Sequence, residues 1–228
     1  MKIDHSRDGD VHTVRLCDGE NRIDLGFVAE LSTVLDAVEA SSHGPCALVL
    51  TGEGKFFSNG LDVDRLMALP ADELARFGRE FSQQLARLVC LPVPTVAALN
   101  GHAFAGGAVL ALAFDYRFMR EDRGWICLSE VDVGVPIDPG MMALVRAKLP
   151  AAIAARSVLE GHRFAAPEAV ASGWADALAP EHSLLEVATE QAARLAQKER
   201  TIFATLKRRL WHDVAVALTP DAAGGPRP

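Results

Sequence analysis

Apolar side chains recur along the chain with the two periods that distinguish strands from helices. Residues 11–16 alternate between apolar and polar positions, as a half-buried strand does. The continuous apolar runs 47–51 and 94–99 are typical of strands buried on both faces. Segments 27–38 and 71–90 place their large apolar residues three or four positions apart, which predicts amphipathic helices. This order of strands and helices predicts an α/β fold with parallel crossovers.

The second half of the chain continues the same alternation. Residues 116–119 and 125–128 have the composition of short strands. Pro167 and Gly173 suit the start and the stop of one helix. Further helices are predicted over 139–149, 184–197 and 201–218. We expect the tail over 219–228, rich in Pro, Gly and Ala, to be disordered.

The composition fits one sizeable domain and narrows the class of partner. Half of the 228 residues are hydrophobic, which is enough for a large core. The formal net charge is −7 and no block is dense in Lys or Arg, which argues against nucleic acid as a partner. No apolar stretch reaches about 18 residues, so we expect no membrane span. The four cysteines form no C-x-x-C, and no signal peptide is visible, which predicts reduced thiols and a cytoplasmic location.

Two glycine-containing loops each follow a predicted buried strand. The first covers 55–62, and the second covers 100–107 and leads into an Ala/Leu-rich helix. Glycine lets another molecule approach the backbone closely, and the first turn of a helix has free N–H groups. Each loop alone is equally compatible with an ordinary strand-to-helix turn. Together they supply two convergent N–H groups, which is the form of an oxyanion hole.

The paired loops resemble the oxyanion-hole signatures of the crotonase superfamily, the enoyl-CoA hydratase/isomerase proteins. The first signature, Phe-x-x-Gly-x-Asp, is matched by Phe57, Gly60 and Asp62. The second begins with a proline and ends with a Gly-Gly pair, and it is matched by Pro94, Ala97, Asn100, Gly101, Ala103, Gly106 and Gly107. Additional matches are Asp115, Arg117 and the segment 168–176. The resemblance covers roughly residues 10–215.

The resemblance implies a crotonase (ClpP-like) spiral of ββα units over 1–195, with a C-terminal helix over 196–218. It implies a homotrimer or a dimer of trimers that acts on an acyl-CoA thioester. Coenzyme A is then part of the substrate, and no metal or other cofactor is required. The N–H groups of Asn59 and Gly106 would hold the thioester oxygen. The residues implied to bind the substrate or its CoA group are Lys55, Phe57, Ser58, Gly60, Leu61, Asp62, Gly107, Val109, Pro136 and Lys207.

Glu130 is the first candidate for an acid/base group. It ends a predicted strand and has apolar neighbours, and partial burial there would raise the pKa of its carboxyl group. A carboxylate with a raised pKa can take and return a proton near neutral pH. On its own, the sequence is also compatible with a surface glutamate. The resemblance places the principal catalytic glutamate of the superfamily at this position. His102, in the second loop, is a weaker candidate for a base.

Val109 narrows the reaction that the resemblance implies. Hydratases of the superfamily carry a second glutamate two positions beyond the last glycine of the second signature, and Val109 stands there. Valine cannot activate a water molecule, so the chemistry favours one carboxylate that shuttles a proton. Moving a double bond from C3–C4 to C2–C3 is such a reaction. Residues 118–134 also resemble the plant-type isomerases that convert 3-enoyl-CoA into 2-enoyl-CoA.

Asp138 leaves alternatives open. An Asp followed by Pro139 is the pattern of a helix N-cap with proline at the first helical position. Dienoyl-CoA isomerases of the superfamily, however, carry a second catalytic carboxylate at this spacing from Glu130. The alternatives to a 3-enoyl-CoA isomerase are therefore a 3,5-dienoyl-CoA isomerase, a weak hydratase and a non-catalytic acyl-CoA binding protein.

Overall fold

Two β-sheets of unequal size form the centre of the protein in a computed structural model that describes residues 3–219. The strands of this part of the chain are β1 (Ile3–Asp8), β2 (Val11–Leu16), β3 (Ala47–Gly52), β4 (Phe56–Ser58), β5 (Thr95–Leu99), β6 (His102–Phe104), β7 (Tyr116–Arg120), β8 (Trp125–Cys127), β9 (Phe164–Ala165) and β10 (Ala177–Ala179). The large sheet has the order β1-β2-β3-β5-β7-β10, and the small sheet has the order β4-β6-β8-β9. From position 220 on, the predicted disordered tail lies outside the described residues.

Helices cover both faces of the large sheet. They are α1 (Leu25–Ser41), α2 (Val63–Met67), α3 (Ala71–Cys90), α4 (Gly106–Leu112), α5 (Glu130–Val133), α6 (Pro139–Lys148), α7 (Ala151–Glu160), α8 (Ala166–Ser172), α9 (Leu184–Ala196), α10 (Arg200–Leu210) and α11 (His212–Leu218). Between positions 3 and 219, none of them combines the length and the apolar character that crossing a bilayer requires.

One unit of structure repeats three times along the chain. A strand of the large sheet is followed by a strand of the small sheet and then by a helix, as in β3-β4-α2, β5-β6-α4 and β7-β8-α5. The strands β4, β6 and β8 pair in parallel, so the chain leaves all three at the same edge of the small sheet. This arrangement confirms the predicted α/β spiral of ββα units.

The large sheet separates two hydrophobic clusters. Leu48 and Leu50 of β3 point into the main core, which also contains side chains of α1, α3 and α4. Their neighbours Ala47 and Val49 point to the other face, where α9 packs. This alternation follows from the two-residue period of a strand, and it explains why the run 47–51 is apolar throughout. The C-terminal helix α11 also contributes side chains to the main core.

The structure differs from the sequence-based prediction mainly in short elements. The strands β4 and β6 lie within segments predicted as loops. Each has only three residues, which is too few to show the alternating pattern by which a strand is predicted. Glu130 begins a one-turn helix instead of ending a strand. The helix predicted over 201–218 is interrupted at Trp211, whose backbone has φ −108° and ψ 13°.

Candidate active site

The two glycine-containing loops meet at the edge where the chain leaves the small sheet. A side chain at Gly60 would place its Cβ 2.9 Å from the carbonyl oxygen of Phe104 and 3.3 Å from the nitrogen of Gly106. A Cβ at Gly106 would lie 3.6 Å from the nitrogen of Leu61. The backbones of the two loops are therefore in close contact. Gly60 also has φ +83°, a conformation that favours glycine.

Leu61, and not Asn59, supplies the free N–H group of the first loop. The N–H of Asn59 donates to the carbonyl oxygen of Glu20 at 2.9 Å, so it is already engaged and the prediction for Asn59 is wrong. The N–H of Leu61 has no acceptor within residues 3–219, and the same holds for that of Gly106. These two N–H groups form the candidate oxyanion hole.

The backbone of Ala105, which sets the orientation of the Gly106 N–H group, is strained. Its φ of 49° and ψ of −123° lie in a region that residues with a side chain seldom occupy. The N–H of Ala105 donates to the carbonyl oxygen of Cys127 at 2.9 Å, which ties the turn to β8. Strain of this kind persists where the surrounding contacts fix it, and it is frequent at functional sites.

Glu130 is the candidate acid/base residue of this site. It is the first residue of α5, and its carboxylate oxygen Oε2 is buried with no hydrogen-bond partner among the described residues. Burial raises the pKa of the carboxyl group above its usual range. A buried carboxylate oxygen without a hydrogen-bond partner is costly to keep, so its presence beside the candidate oxyanion hole points to a role in proton transfer.

Strand pairing places Glu130 beside the candidate oxyanion hole. In the parallel pair of β6 and β8, Phe104 lies opposite Cys127. Gly106 follows Phe104 by two positions and Glu130 follows Cys127 by three, so both lie just beyond the same edge of the small sheet. Two N–H donors and one carboxylate at one edge can stabilise an enolate oxygen and move the neighbouring proton.

Asp138 lies at the start of α6. Its Oδ1 accepts a hydrogen bond from the N–H of Gly140 at 2.8 Å, and Pro139 occupies the first turn of the helix. The side chain therefore forms the N-cap that its sequence context predicts. The Asp138 carboxylate makes no other hydrogen bond or ion pair among residues 3–219, so no contact there supports the alternative of a second catalytic carboxylate.

Several residues predicted to bind the substrate make contacts that hold the first loop in its conformation. The Ser58 hydroxyl donates to the carbonyl oxygen of Asn21 at 2.7 Å and accepts from the N–H of Gly60 at 3.2 Å. Asp62 caps α2 by accepting from the N–H of Arg65 at 3.3 Å. The side chain of Phe57 is fully buried in the main core. These contacts hold the loop in the conformation that presents the Leu61 N–H.

The second loop and the segment after α5 hold three more of the predicted residues. A Cβ at Gly107 would lie 2.5 Å from the carbonyl oxygen of Ser58, so glycine is required there for the two loops to meet. Val109 is buried in α4 with 1% of its surface exposed. Pro136 is exposed between α5 and α6.

The two lysines predicted to contact the CoA group differ in exposure. Lys55 is exposed at the start of the first loop, with its ammonium 5.3 Å from the ring centroid of Phe56. Lys207 is 4% exposed, and its Nζ donates to Asp115 Oδ2 at 2.6 Å and to the carbonyl oxygen of Val93 at 2.9 Å. The expectation that Lys207 contacts CoA is therefore wrong, because its ammonium is buried and neutralises the Asp115 carboxylate.

Comparison with known proteins shows the family of this chain. The family described as Enoyl-CoA hydratase/isomerase matches residues 7–223. The chain belongs to this family. Enoyl-CoA delta isomerase 3 of Arabidopsis thaliana is 36% identical over 215 residues, which cover 90% of each chain.

Solved structures of the enoyl-CoA hydratase/isomerase family share the fold. A protein of Mycobacterium tuberculosis described as an enoyl-CoA isomerase superposes with a TM-score of 0.87 at 27% identity, covering 97% of this chain and 96% of that one. A second structure of the same protein describes it as a probable enoyl-CoA hydratase. An enoyl-CoA hydratase of Mycobacterium marinum gives the same TM-score, identity and coverage. Because both activities occur on this fold, the fold alone does not separate an isomerase from a hydratase.

Proposed function

We propose that the protein is an enoyl-CoA isomerase that shifts the double bond of a 3-enoyl-CoA to the 2-trans position. The observation that carries the proposal is the buried Val109. Hydration needs a water molecule held between two carboxylates, and valine replaces the second of them. Glu130 then acts alone, which suits a reaction that removes one proton and returns it. The Arabidopsis relative, named a delta isomerase, supports the same activity.

The proposed reaction uses only groups of this chain. The thioester oxygen accepts hydrogen bonds from the N–H groups of Leu61 and Gly106, which stabilise the negative charge that develops on it. The Glu130 carboxylate takes a proton from C2, and the electron pair of the C2–H bond forms the C1–C2 double bond of a dienolate while the thioester oxygen takes the electron pair of the C1–O double bond. C2–C3 becomes double, and C1–O becomes double again, when C4 is protonated. The same carboxyl group, now protonated, delivers the proton to C4. The double bond has moved, and no atom is gained or lost.

An ultraviolet assay with 3-enoyl-, 2-enoyl- and 3,5-dienoyl-CoA substrates, run side by side, tests the proposal. We expect rapid conversion of the 3-enoyl-CoA and little hydration of the 2-enoyl-CoA. Rapid hydration would overturn the interpretation of Val109. Faster turnover of the dienoyl-CoA would instead assign Asp138 as a second acid/base group. No turnover of any of the three would favour a binding protein. Assembly as a homotrimer or a dimer of trimers and a cytoplasmic location stay predictions.

The pH dependence of the reaction is expected to follow the carboxyl group of Glu130. As a base this group must be ionised, so kcat/KM falls as the pH falls through its pKa. Burial raises that pKa, and the acidic limb of the profile is therefore expected above the ordinary glutamate value of about 4.3. The measurement is kcat/KM for a 3-enoyl-CoA against pH, with circular dichroism at each pH as the control for folding. An acidic limb at or below the ordinary value would contradict the assignment.

Replacing Gly106 with Ala is expected to lower kcat by up to about 100-fold with little loss of stability. The new Cβ would lie 3.1 Å from Leu61 Cδ2, the mobile end of a side chain, so the fold can adjust while the two N–H donors move apart. Gly78→Ala in α3 is the matched control, because a Cβ there meets nothing within 4 Å. An unchanged kcat in Gly106→Ala would contradict the expectation that a Cβ at this position separates the two N–H donors.

A further inference from the structure

A half-open cleft of about 460 Å³ lies at the edge of the small sheet opposite to the candidate active site. Lys55 precedes β4, His102 begins β6 and Trp125 begins β8, and all three line this small-sheet cleft. The oxyanion N–H groups and Glu130 follow the other ends of the same parallel strands. Each strand has three residues, so about 10 Å of sheet separates the cleft from the site.

His102 presents a fixed hydrogen-bond donor to the small-sheet cleft. Its side chain is only 8% exposed, and its Nδ1 accepts from the backbone N–H of Trp125 at 3.3 Å. In the neutral ring the proton is therefore on Nε2, which has no acceptor within residues 3–219. Burial, together with the charges of Lys55, Arg123 and Arg163, lowers the pKa of His102 and keeps the ring in this neutral form.

An exposed aromatic face lies beside that donor. Trp125 is 41% exposed although it is a large apolar residue, and its ring centroid is 5.2 Å from that of His102. The guanidinium of Arg163 lies 5.6 Å from the centroid of the same indole. The exposed part of this indole is a surface on which a flat ring can stack.

The charges around the cleft favour an anion. Neither Lys55 nor Arg123 forms an ion pair within the described part of the chain. Asp122 also lines the cleft, but Arg120 holds both of its carboxylate oxygens, at 2.9 and 2.8 Å. This leaves Glu121 as the lining carboxylate that opposes the two cations.

We propose that the small-sheet cleft binds a flat ring joined to one phosphate, as in a nucleoside monophosphate. The ring would stack on Trp125, and the phosphate would accept hydrogen bonds from His102 Nε2, Lys55 and Arg123. The volume of about 460 Å³ is in the range of small-ligand sites and suits one nucleotide. Because the cleft and the thioester site lie at opposite ends of the same strands, both ligands bind at the same time.

Isothermal titration of the whole protein with AMP, adenosine and inorganic phosphate tests this site. We expect AMP to bind more tightly than either of its parts. Trp125→Ala is expected to weaken AMP binding by about 5- to 150-fold, the loss that removal of a stacking ring brings. Arg123→Ala is expected to weaken it by about 10-fold or more, and Glu121→Gln to strengthen it. Arg79→Ala, an exposed arginine of α3, is the matched control and should leave it unchanged.

Three results would overturn the proposal. The first is the absence of AMP binding up to about 10 mM. The second is equal affinity for AMP in Arg123→Ala, Trp125→Ala and Arg79→Ala. The third is displacement of AMP by saturating crotonyl-CoA, which would place the nucleotide in the substrate site. Simultaneous binding of AMP and crotonyl-CoA supports the separate cleft whether or not the protein turns over a 3-enoyl-CoA.

Discussion

Replacing Glu130 with Gln is expected to slow the turnover of a 3-enoyl-CoA by about 10²- to 10⁴-fold, the usual contribution of a general acid/base. Glutamine keeps the shape of the side chain but cannot take a proton from C2. The fall should be in kcat, since the N–H groups that bind the thioester oxygen are unchanged. Steady-state kinetics with the ultraviolet assay measures it, and Glu190→Gln on the exposed face of α9 is the matched control.

The same substitution is expected to leave stability unchanged or to raise it. Burial without a partner raises the folded-state pKa of Glu130, so the ionised carboxylate destabilises the fold above its unfolded-state pKa. At neutral pH, Glu130→Gln should therefore melt at the same temperature as the native protein or higher. The difference should shrink as the pH falls below the ordinary range for glutamate. Full activity in this variant would assign the base elsewhere, and a large fall in melting temperature would indicate a structural role.

Replacing Lys207 with Met is expected to lower the free energy of unfolding by about 3–5 kcal/mol, which is the cost of removing one partner of a buried ion pair and leaving the other charge uncompensated. Asp115 would keep its hydrogen bonds from the N–H and the hydroxyl of Thr95 but would lose its only salt-bridge partner among residues 3–219. Denaturant unfolding measures the change. Lys198→Met, an exposed lysine between α9 and α10, should change the free energy by less than about 0.5 kcal/mol.

Two further measurements separate this structural role of Lys207 from contact with CoA. In a double-mutant cycle with Asp115→Asn, the two losses should be clearly less than additive, because the partners are in direct contact. If Lys207 instead contacts CoA, Lys207→Met would raise KM for the thioester and leave the unfolding free energy unchanged. That outcome would contradict the buried ion pair.

Long periodic segments made much of the fold predictable from the sequence. The large apolar residues of α1 and α3 recur at helical spacing, and β3 and β5 are continuous apolar runs, so pattern alone located them. The two loops of the candidate site were predictable because close contact between backbones demands glycine at Gly60 and Gly107, which leaves a trace in the sequence. The resemblance to a known family then indicated a role for Glu130.

Other features depend on which groups meet in three dimensions. The choice between the N–H groups of Asn59 and Leu61 depends on a hydrogen bond to Glu20, about 40 residues away, and on no property of either side chain. The sequence Lys207-Arg208-Arg209 suggests a solvated basic face, yet only the first of these side chains turns inward to a distant carboxylate. Three-residue strands such as β4 and β6 are defined by their neighbours in the sheet and have no period of their own.

The ion pair between Asp115 and Lys207 joins groups that are 92 residues apart in the chain. On a ribosome that adds roughly 5–20 residues per second, Asp115 is made about 5 to 20 s before the lysine that neutralises it. During that time this carboxylate lacks its salt-bridge partner, which makes closure of the large sheet over it less favourable. A chain that stops before α10 is therefore expected to be less stable and more exposed to proteases.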